Sequence, residues 1–272
     1  MGFWSLRKSS LPPSTTQREN VKSKHKPAPK KAAPPPPPPP SKPKSKPKPK
    51  PKPKPRPGRI IIHFVRHAEG YNNLRVRGAG DLVDPLLTPH GKSQCLTLRT
   101  QFAHLHPQHI LCSPLRRTLQ TALLALSPRT RIPITVDPDL REYGSVPNCT
   151  GSPVAELKRK HEGVKMKMDF GRVEEGWERN AERDGGFVEG RWRRSREQRE
   201  RSQRVLKRLW ELGREGLKAS EGDVEILVIS HGEFLHGLTG DYWHNADIIS
   251  LTMIKSSRGY GFIDPPIRFA YH

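Results

Sequence analysis

Two short apolar runs, each ending in a histidine, limit what this chain can fold into. Ile60-Ile61-Ile62-His63-Phe64-Val65 runs into Arg66-His67, and Val224-Glu225-Ile226-Leu227-Val228-Ile229-Ser230 runs into His231-Gly232. Both are short, β-branched and nearly continuous in apolar residues, as strands covered on both faces are. After the first run comes a loop holding Asn72, Asn73, Arg75, Arg77, Gly78 and Gly80. Asp84-Pro85-Leu86-Leu87-Thr88-Pro89-His90-Gly91 then starts a helix, with Thr88 as N-cap and Pro89 at the first helical position. Cys95, Leu98, Phe102 and Leu105 recur at helical spacing. Ile110-Leu111-Cys112-Ser113 reads as a second strand and 114–126 as a second helix. A third strand follows at 132–136, expected at a sheet edge because of Pro133. Strand, helix, strand, helix, strand predicts an α/β fold: a three-layer α/β/α sandwich around a mostly parallel sheet.

The remainder is less regular. From about 145 to 189 the chain is polar and interrupted by glycine, and predicts two short helical pieces at most. Residues 191–218 read as one long helix, very basic at first, whose second half packs on the sheet through Val205, Leu206, Leu209 and Leu212. A last strand is expected at 248–255.

Charge is spread unevenly over the 272 residues. The formal net charge is +22, yet residues 1–57 hold 16 Lys and Arg against the single acid Glu19. The excess therefore describes mostly that segment and argues little for a nucleic-acid-binding domain. Pro34 to Pro40 is a polyproline run, and 42–56 is nearly a Lys-Pro repeat. Such a sequence favours polyproline II, repels itself and cannot bury a core. Residues 1–57 are thus expected to be a disordered Pro/Lys-rich tail, foremost a spacer, with an SH3/WW-type or anionic partner as the alternative. Residues 58–272 are expected to form one domain, with an insertion or cap at about 145–189.

Chemistry gathers at the strand ends. Arg66 and His67 follow the first strand, and Ser113-Pro114-Leu115-Arg116-Arg117 follows the second. Glu142 follows the third, and His231-Gly232 the late core strand. In a parallel sheet these groups converge on one edge, where open α/β sheets bind ligands. Two histidines and two arginines around a point suit a dianionic phosphoryl group, and a nearby carboxylate suits proton transfer to a leaving oxygen.

These residues resemble the histidine phosphatase, or phosphoglycerate mutase-like, superfamily over most of 59–255. The matching features are Arg66-His67 with Asn73 and Arg77 six and ten residues after the histidine, and Asp84-Pro85-Leu86-Leu87-Thr88 with Gly91 and Gln94. The Ser113-Pro114-Leu115-x-Arg117-x-x-Gln120-Thr121-Ala122 segment, Leu140-Arg141-Glu142 and Ser230-His231-Gly232 complete the set. Asn245-Ala246-Asp247 before the last strand looks most like the small fungal members. The resemblance implies a phosphohydrolase cleaving phosphate monoesters through a phosphohistidine on His67. The alternatives are a phosphoglycerate mutase-type phosphotransferase, or a non-catalytic scaffold on the same fold acting through the tail. It implies His67 as nucleophile, Glu142 as proton donor, and Arg66, Arg117 and His231 as further catalytic residues. Arg66, Asn73, Arg77, Arg117, His231 and Gly232 are the implied substrate-binding set. Ala68 stands where the family usually has glycine, a change expected to be tolerated because the backbone N–H remains.

No cofactor and no metal are expected, since no Asp, Glu and His ligands fall at short spacing. The substrate class implied is a phosphorylated small molecule or phosphoprotein. Cys95, Cys112 and Cys149 are too far apart for a zinc site or a disulfide framework, and Cys112 is expected to be packing. No apolar stretch reaches membrane-spanning length, and Met1-Gly2-Phe3-Trp4-Ser5-Leu6 lacks a secretory core and the myristoylation pattern. An intracellular address, cytoplasmic or nuclear, is expected, with a mitochondrial one left open. Oligomeric state is not legible. The arginines of 191–208 are expected to line a solvated helix face, and Trp177, Trp192, Trp210 and Trp243 to be core packing.

Overall fold

The computed structural model describes residues 33–38, 57–179, 186–188, 191–193, 195–219 and 221–268. The expectations for the rest of the 1–57 tail lie outside these residues. The described residues from 57 onward form one compact unit.

The first apolar run becomes strand β1 (Ile60–Arg66), and Thr88 caps helix α1 (Pro89–Phe102) by accepting the Gly91 N–H at 2.9 Å. Strand β2 (His109–Cys112), helix α2 (Arg116–Ala125) and strand β3 (Ile134–Val136) follow as expected from their apolar spacing. Helix α3 (Val154–Lys160), strand β4 (Met168–Asp169), a hairpin of β5 (Gly186–Val188) and β6 (Arg191–Arg193), and helix α4 (Arg196–Ala219) come next. The second apolar run is strand β7 (Val224–Ser230). Helix α5 (Gly232–Thr239) and strands β8 (Ile248–Ser256) and β9 (Gly259–Arg268) close the chain.

The sheet order is β4-β3-β2-β7-β1-β8-β9. All pairs from β4 through β1 are parallel, whereas β8 and β9 add on antiparallel. Alternation along each strand sorts side chains to two faces. Val65, Ile110, Cys112, Leu227 and Ile229 face a core with α1, α2 and α3. Ile60, Ile62, Phe64, Leu111, Ile226 and Val228 face a second core with α4 and α5. This is the three-layer α/β/α sandwich, and β1, β2 and β7 are nearly continuous apolar runs because both faces are covered.

Several local expectations need correction. Strand β3 is not at the edge, because two residues of β4 pair with it on the outside. Pro133 precedes β3, so its missing N–H costs the ladder nothing, and Ile134 N donates to Lys167 O at 2.9 Å. The 145–179 segment is no mere polar excursion: Val154, Leu157, Met166, Phe170, Val173 and Trp177 join the α1–α3 core. The helix expected at 191–218 begins only at Arg196, after β6, and its first half also packs, burying Gln198 and Arg201. The 248–255 strand is not the last, since β9 pairs with it. Trp177 and Trp243 are core residues as expected, and all three cysteines are buried and free. Among the described residues, no helix is long and apolar enough to cross a membrane.

Candidate active site

The strand register sets the site. Arg66 pairs with Ser230 across β1 and β7, and Cys112 with Ile229 across β2 and β7. His67, Ser113 and His231 therefore step off the ends of three adjacent parallel strands together. The two imidazole rings lie 5.1 Å apart between centroids, and both are buried.

The loop after His67 is held by side chains from α1 and α2. Ala68 N donates to Thr121 Oγ1 at 3.1 Å, Glu69 N to Gln94 Oε1 at 2.8 Å, and Leu87 N to Gln120 Oε1 at 2.8 Å. These bonds answer the buried backbone donors of an irregular segment, and they give a physical reason for Gln94, Gln120 and Thr121 in the sequence pattern. Gly91 is needed where α1 meets this loop, since a Cβ there would lie 2.0 Å from Glu69 O. Ala68 needs no left-handed backbone; the only non-glycine residues with positive φ among those described are Asp84 and Ala246. Ala246 N and Asn245 Nδ2 both donate to His67 O, at 3.2 and 3.1 Å, and so clasp the histidine from behind.

The hydrogen bonds of His67 fix its tautomer. Its Nδ1 lies 2.7 Å from Ala68 O, which can only accept, so Nδ1 carries the proton. Nε2 is left with a lone pair, toward which Arg117 Nε points at 3.2 Å. Burial, then the Arg117 and Arg66 charges, hold the His67 pKa well below the ordinary 6.5. His231 is held low by burial, Arg117 and His67. Its Nε2 meets Ser113 Oγ at 2.8 Å, while its buried Nδ1 has no partner.

Both guanidinium groups lack an ion pair among the described residues. Arg117, fully buried, reaches Asn148 O through Nη1 at 2.8 Å. Arg66 reaches Trp243 O through Nη1 at 2.6 Å, and its buried Nε has no partner. Gly232 makes room for it: a Cβ at 232 would lie 3.1 Å from Arg66 Cζ and Nε. The first carboxylate to offset the burial of each guanidinium is Glu142. Glu142 Oε1 accepts from Tyr143 N at 3.0 Å and from Phe234 N at 2.9 Å, and Oε2 from Glu233 N at 3.3 Å. It thus sits on the amino end of α5, where helix N–H groups are unsatisfied. Burial nonetheless raises its pKa above 4.5, against those backbone bonds and Arg117.

His67, Arg66, Arg117, His231, Glu142 and Gly232 are brought together. Asn73 stands one step back: its Oδ1 accepts from Gly70 N at 3.0 Å and from Asn245 Nδ2 at 3.1 Å. Arg77 is exposed in the 71–81 loop and makes no hydrogen bond or ion pair with described residues. Ser113, Asn148 and Asn245 carry no role in the sequence reading, although each contacts a cluster residue; Ser113 and Asn245 stand in matched segments, and Asn148 in none. Among the described residues, no group of three or more His, Cys, Asp and Glu could hold a metal ion.

The model of the family described as Histidine phosphatase superfamily (branch 1) matches residues 62–166, which carry most of β1, with His67, α1, α2, Arg117 and Glu142. Over that stretch the chain is similar to a superfamily of phosphatase and mutase-type enzymes. No curated protein matches the chain. Among solved structures, the chain is similar to the alpha-ribazole phosphatase from Shigella flexneri (19% identity, 75% of this chain and 94% of that one, TM-score 0.46). It is also similar to mycobacterial glucosyl-3-phosphoglycerate phosphatase (18%, 75% and 95%, TM-score 0.46). A third is the ecdysone phosphate phosphatase from Bombix mori in complex with tungstate (15%, 76% and 93%, TM-score 0.44). β7, His231 and α5 lie beyond the matched stretch, and the sheet brings them beside it.

Proposed function

We propose that the protein is a phosphohydrolase that cleaves phosphate monoesters through a phosphohistidine on His67. One observation carries this reading: two guanidinium groups without a salt-bridge partner face two buried histidines held neutral. Such a site is electrically incomplete, and a phosphoryl dianion completes it. Arg66 and Arg117 neutralise the equatorial oxygens, and the neutral His231, with Nε2 accepting from Ser113 Oγ, donates from its unpartnered Nδ1 to a further oxygen.

The His67 Nε2 lone pair attacks phosphorus, the N–P bond forms and the ester P–O bond breaks. The departing alkoxide takes its proton from Glu142. Water then attacks the phosphohistidine, Glu142 recovers a proton from it, and the N–P electron pair returns to Nε2 as inorganic phosphate leaves. A panel of phosphate esters, read by release of inorganic phosphate, tests the reading. Phosphate that moves only to a second hydroxylated acceptor, never to water, would replace it with a phosphotransferase.

Gly232→Ala is expected to disturb this binding without touching substrate. The new Cβ pushes the Arg66 guanidinium off its position, and misplacement of about 1 Å costs up to about 10²-fold in rate. The check is kcat/KM on a phosphate ester beside the melting temperature. A loss of activity at unchanged melting temperature is expected; unchanged kcat/KM would remove Arg66 from the phosphate site.

We also assign catalysis to 58–272 alone. A protein starting at Gly58 is expected to keep the melting temperature and turnover of the full chain, because residues 1–57 lack the apolar content to join a core. A large drop in either would mean that the tail contributes to the domain.

A further inference from the structure

We propose that Arg201 of α4 is a positioning residue that holds Glu142 in place for proton transfer. The proposal rests on the functional reading above and goes beyond it, because Arg201 lies far from the strand ends in sequence and touches no reacting atom.

Arg201 sits in the basic first half of α4, among residues that read as a solvated charged face. Instead it is 1% exposed. Its Nη1 donates to Asp139 O at 2.9 Å and to Arg141 O at 2.6 Å, and its Nη2 to Glu142 O at 3.3 Å. One planar fork thus gathers the carbonyls of the segment that leads from β3 to Glu142. The same guanidinium lies over two rings, 4.7 Å from the centroid of Tyr143 and 4.9 Å from that of Phe234. Those rings flank the two backbone N–H groups that hold Glu142 Oε1, one from Tyr143 and one from Phe234.

Arg201 is therefore the shared support of both sides of the carboxylate's seat: the Glu142 main chain and the amino end of α5. Neighbouring charges on α4 serve the same segment from outside. Arg204 and Arg208 pair with Asp139, and Arg208 also with Asp137. These pairs pin the start of the segment, but neither arginine bonds to Glu142 or stacks on the rings. A fixed acid needs both a fixed backbone and fixed donors, and Arg201 supplies contacts to each. A lysine cannot reproduce this, since a point charge has no fork to span three carbonyls.

The test compares phosphorylation of His67 by an alkyl phosphate, which needs the acid, and by a nitrophenyl phosphate, which does not. Arg201→Met is expected to slow the alkyl reaction by about 10- to 100-fold, the scale of a misplaced catalytic group, and the nitrophenyl reaction far less. In the Glu142→Gln background it is expected to add little to the alkyl loss, because the group it positions no longer donates a proton. Arg201→Lys keeps a buried cation over the rings, is expected to show the same selective loss in weaker form, and carries the test if Arg201→Met does not fold. Equal losses on the two esters, or a full additional loss in the Glu142→Gln background, would overturn the proposal while leaving the chemistry at His67 intact. A wild-type protein that neither ester phosphorylates would overturn the functional reading instead.

Discussion

His67→Ala is expected to give a folded protein that releases no phosphate from esters and takes up no phosphate label. Removal of a covalent nucleophile costs on the order of 10⁶-fold in kcat where it has been dissected. The present site offers little to replace it. His231, the other buried imidazole, has Nε2 committed to Ser113 and is separated from the His67 ring by 5.1 Å. Label on the wild-type protein is expected to be labile in acid and stable in base, as an N–P bond is and a phosphoserine is not. Label that survives the substitution, or that resists acid, would remove His67 from the role. A second readout is independent of turnover. The His67 pKa is well below 6.5 in the folded protein and returns toward that value on unfolding. As pH falls below about 6.5, the unfolded chain binds a proton that the native state refuses, so stability falls in that window. His67→Ala removes this contribution, and the loss of stability between pH 7 and 5 is expected to shrink. An unchanged pH slope would mean that His67 is not held neutral by its surroundings.

The parts of this fold that the sequence makes legible are those with a repeating local signal. β1 and β7 show as apolar runs because a parallel sheet covered on both faces leaves no polar alternation. α1 shows through Thr88 and Pro89, whose capping chemistry is local. The convergence of His67, Arg117, Glu142 and His231 follows once the sheet is taken as parallel, since each lies beyond the carboxyl end of a strand. β4 has two residues and therefore no period to detect. β9 contains Gly259, Gly261, Pro265 and Pro266, which read as turns. Its place comes from β8, whose outer edge would otherwise stand unpaired.

Side chains whose partners lie far off in sequence are the least legible. Arg201 stands in a run of arginines, where a solvated face is the common outcome, and only the tertiary approach of Tyr143 and Phe234 makes it a core residue. Asn148 is likewise silent in sequence, yet its carbonyl receives Arg117 and its Nδ2 donates to Gly80 O at 3.1 Å. It ties the 79–81 turn to the arginine of the site. Arg77 shows the converse: the sequence pattern nominates it, whereas its exposed position in the loop leaves it without a described partner.

Glu142→Gln is expected to slow phosphorylation by alkyl phosphates about 10²–10⁴-fold, the scale of general acid catalysis, and to slow phosphorylation by a nitrophenyl ester far less. An alkoxide leaves poorly unless it is protonated; a nitrophenolate leaves unaided. The step requires a neutral His67 together with a protonated Glu142. With ordinary values of 6.5 and 4.5 these two states scarcely coexist, because the carboxyl loses its proton before the imidazole does. Here burial moves the two groups in opposite directions, His67 down and Glu142 up, so the pH window in which both are correctly protonated widens. The contacts of the carboxyl also choose the oxygen. Oε1 receives two backbone N–H groups at 2.9 and 3.0 Å, whereas Oε2 has only the longer one from Glu233, so Oε2 is the oxygen better free to carry a proton. Glutamine keeps the size and the oxygen that accepts from Tyr143 N and Phe234 N; it removes the transferable proton and the weaker acceptor that faces Glu233 N at 3.3 Å. The second step should suffer as well, since the amide cannot take a proton from the attacking water, and label is expected to accumulate on His67 when the nitrophenyl ester is used. The measurement is the burst rate and the steady-state rate on both esters. Equal losses in the burst on the two esters would refute the acid role and turn attention to Glu69 and Glu233, the carboxylates nearest in sequence to His67 and His231. Glu69 is the weaker of these, because its Oε1 already accepts the Thr88 hydroxyl at 2.6 Å.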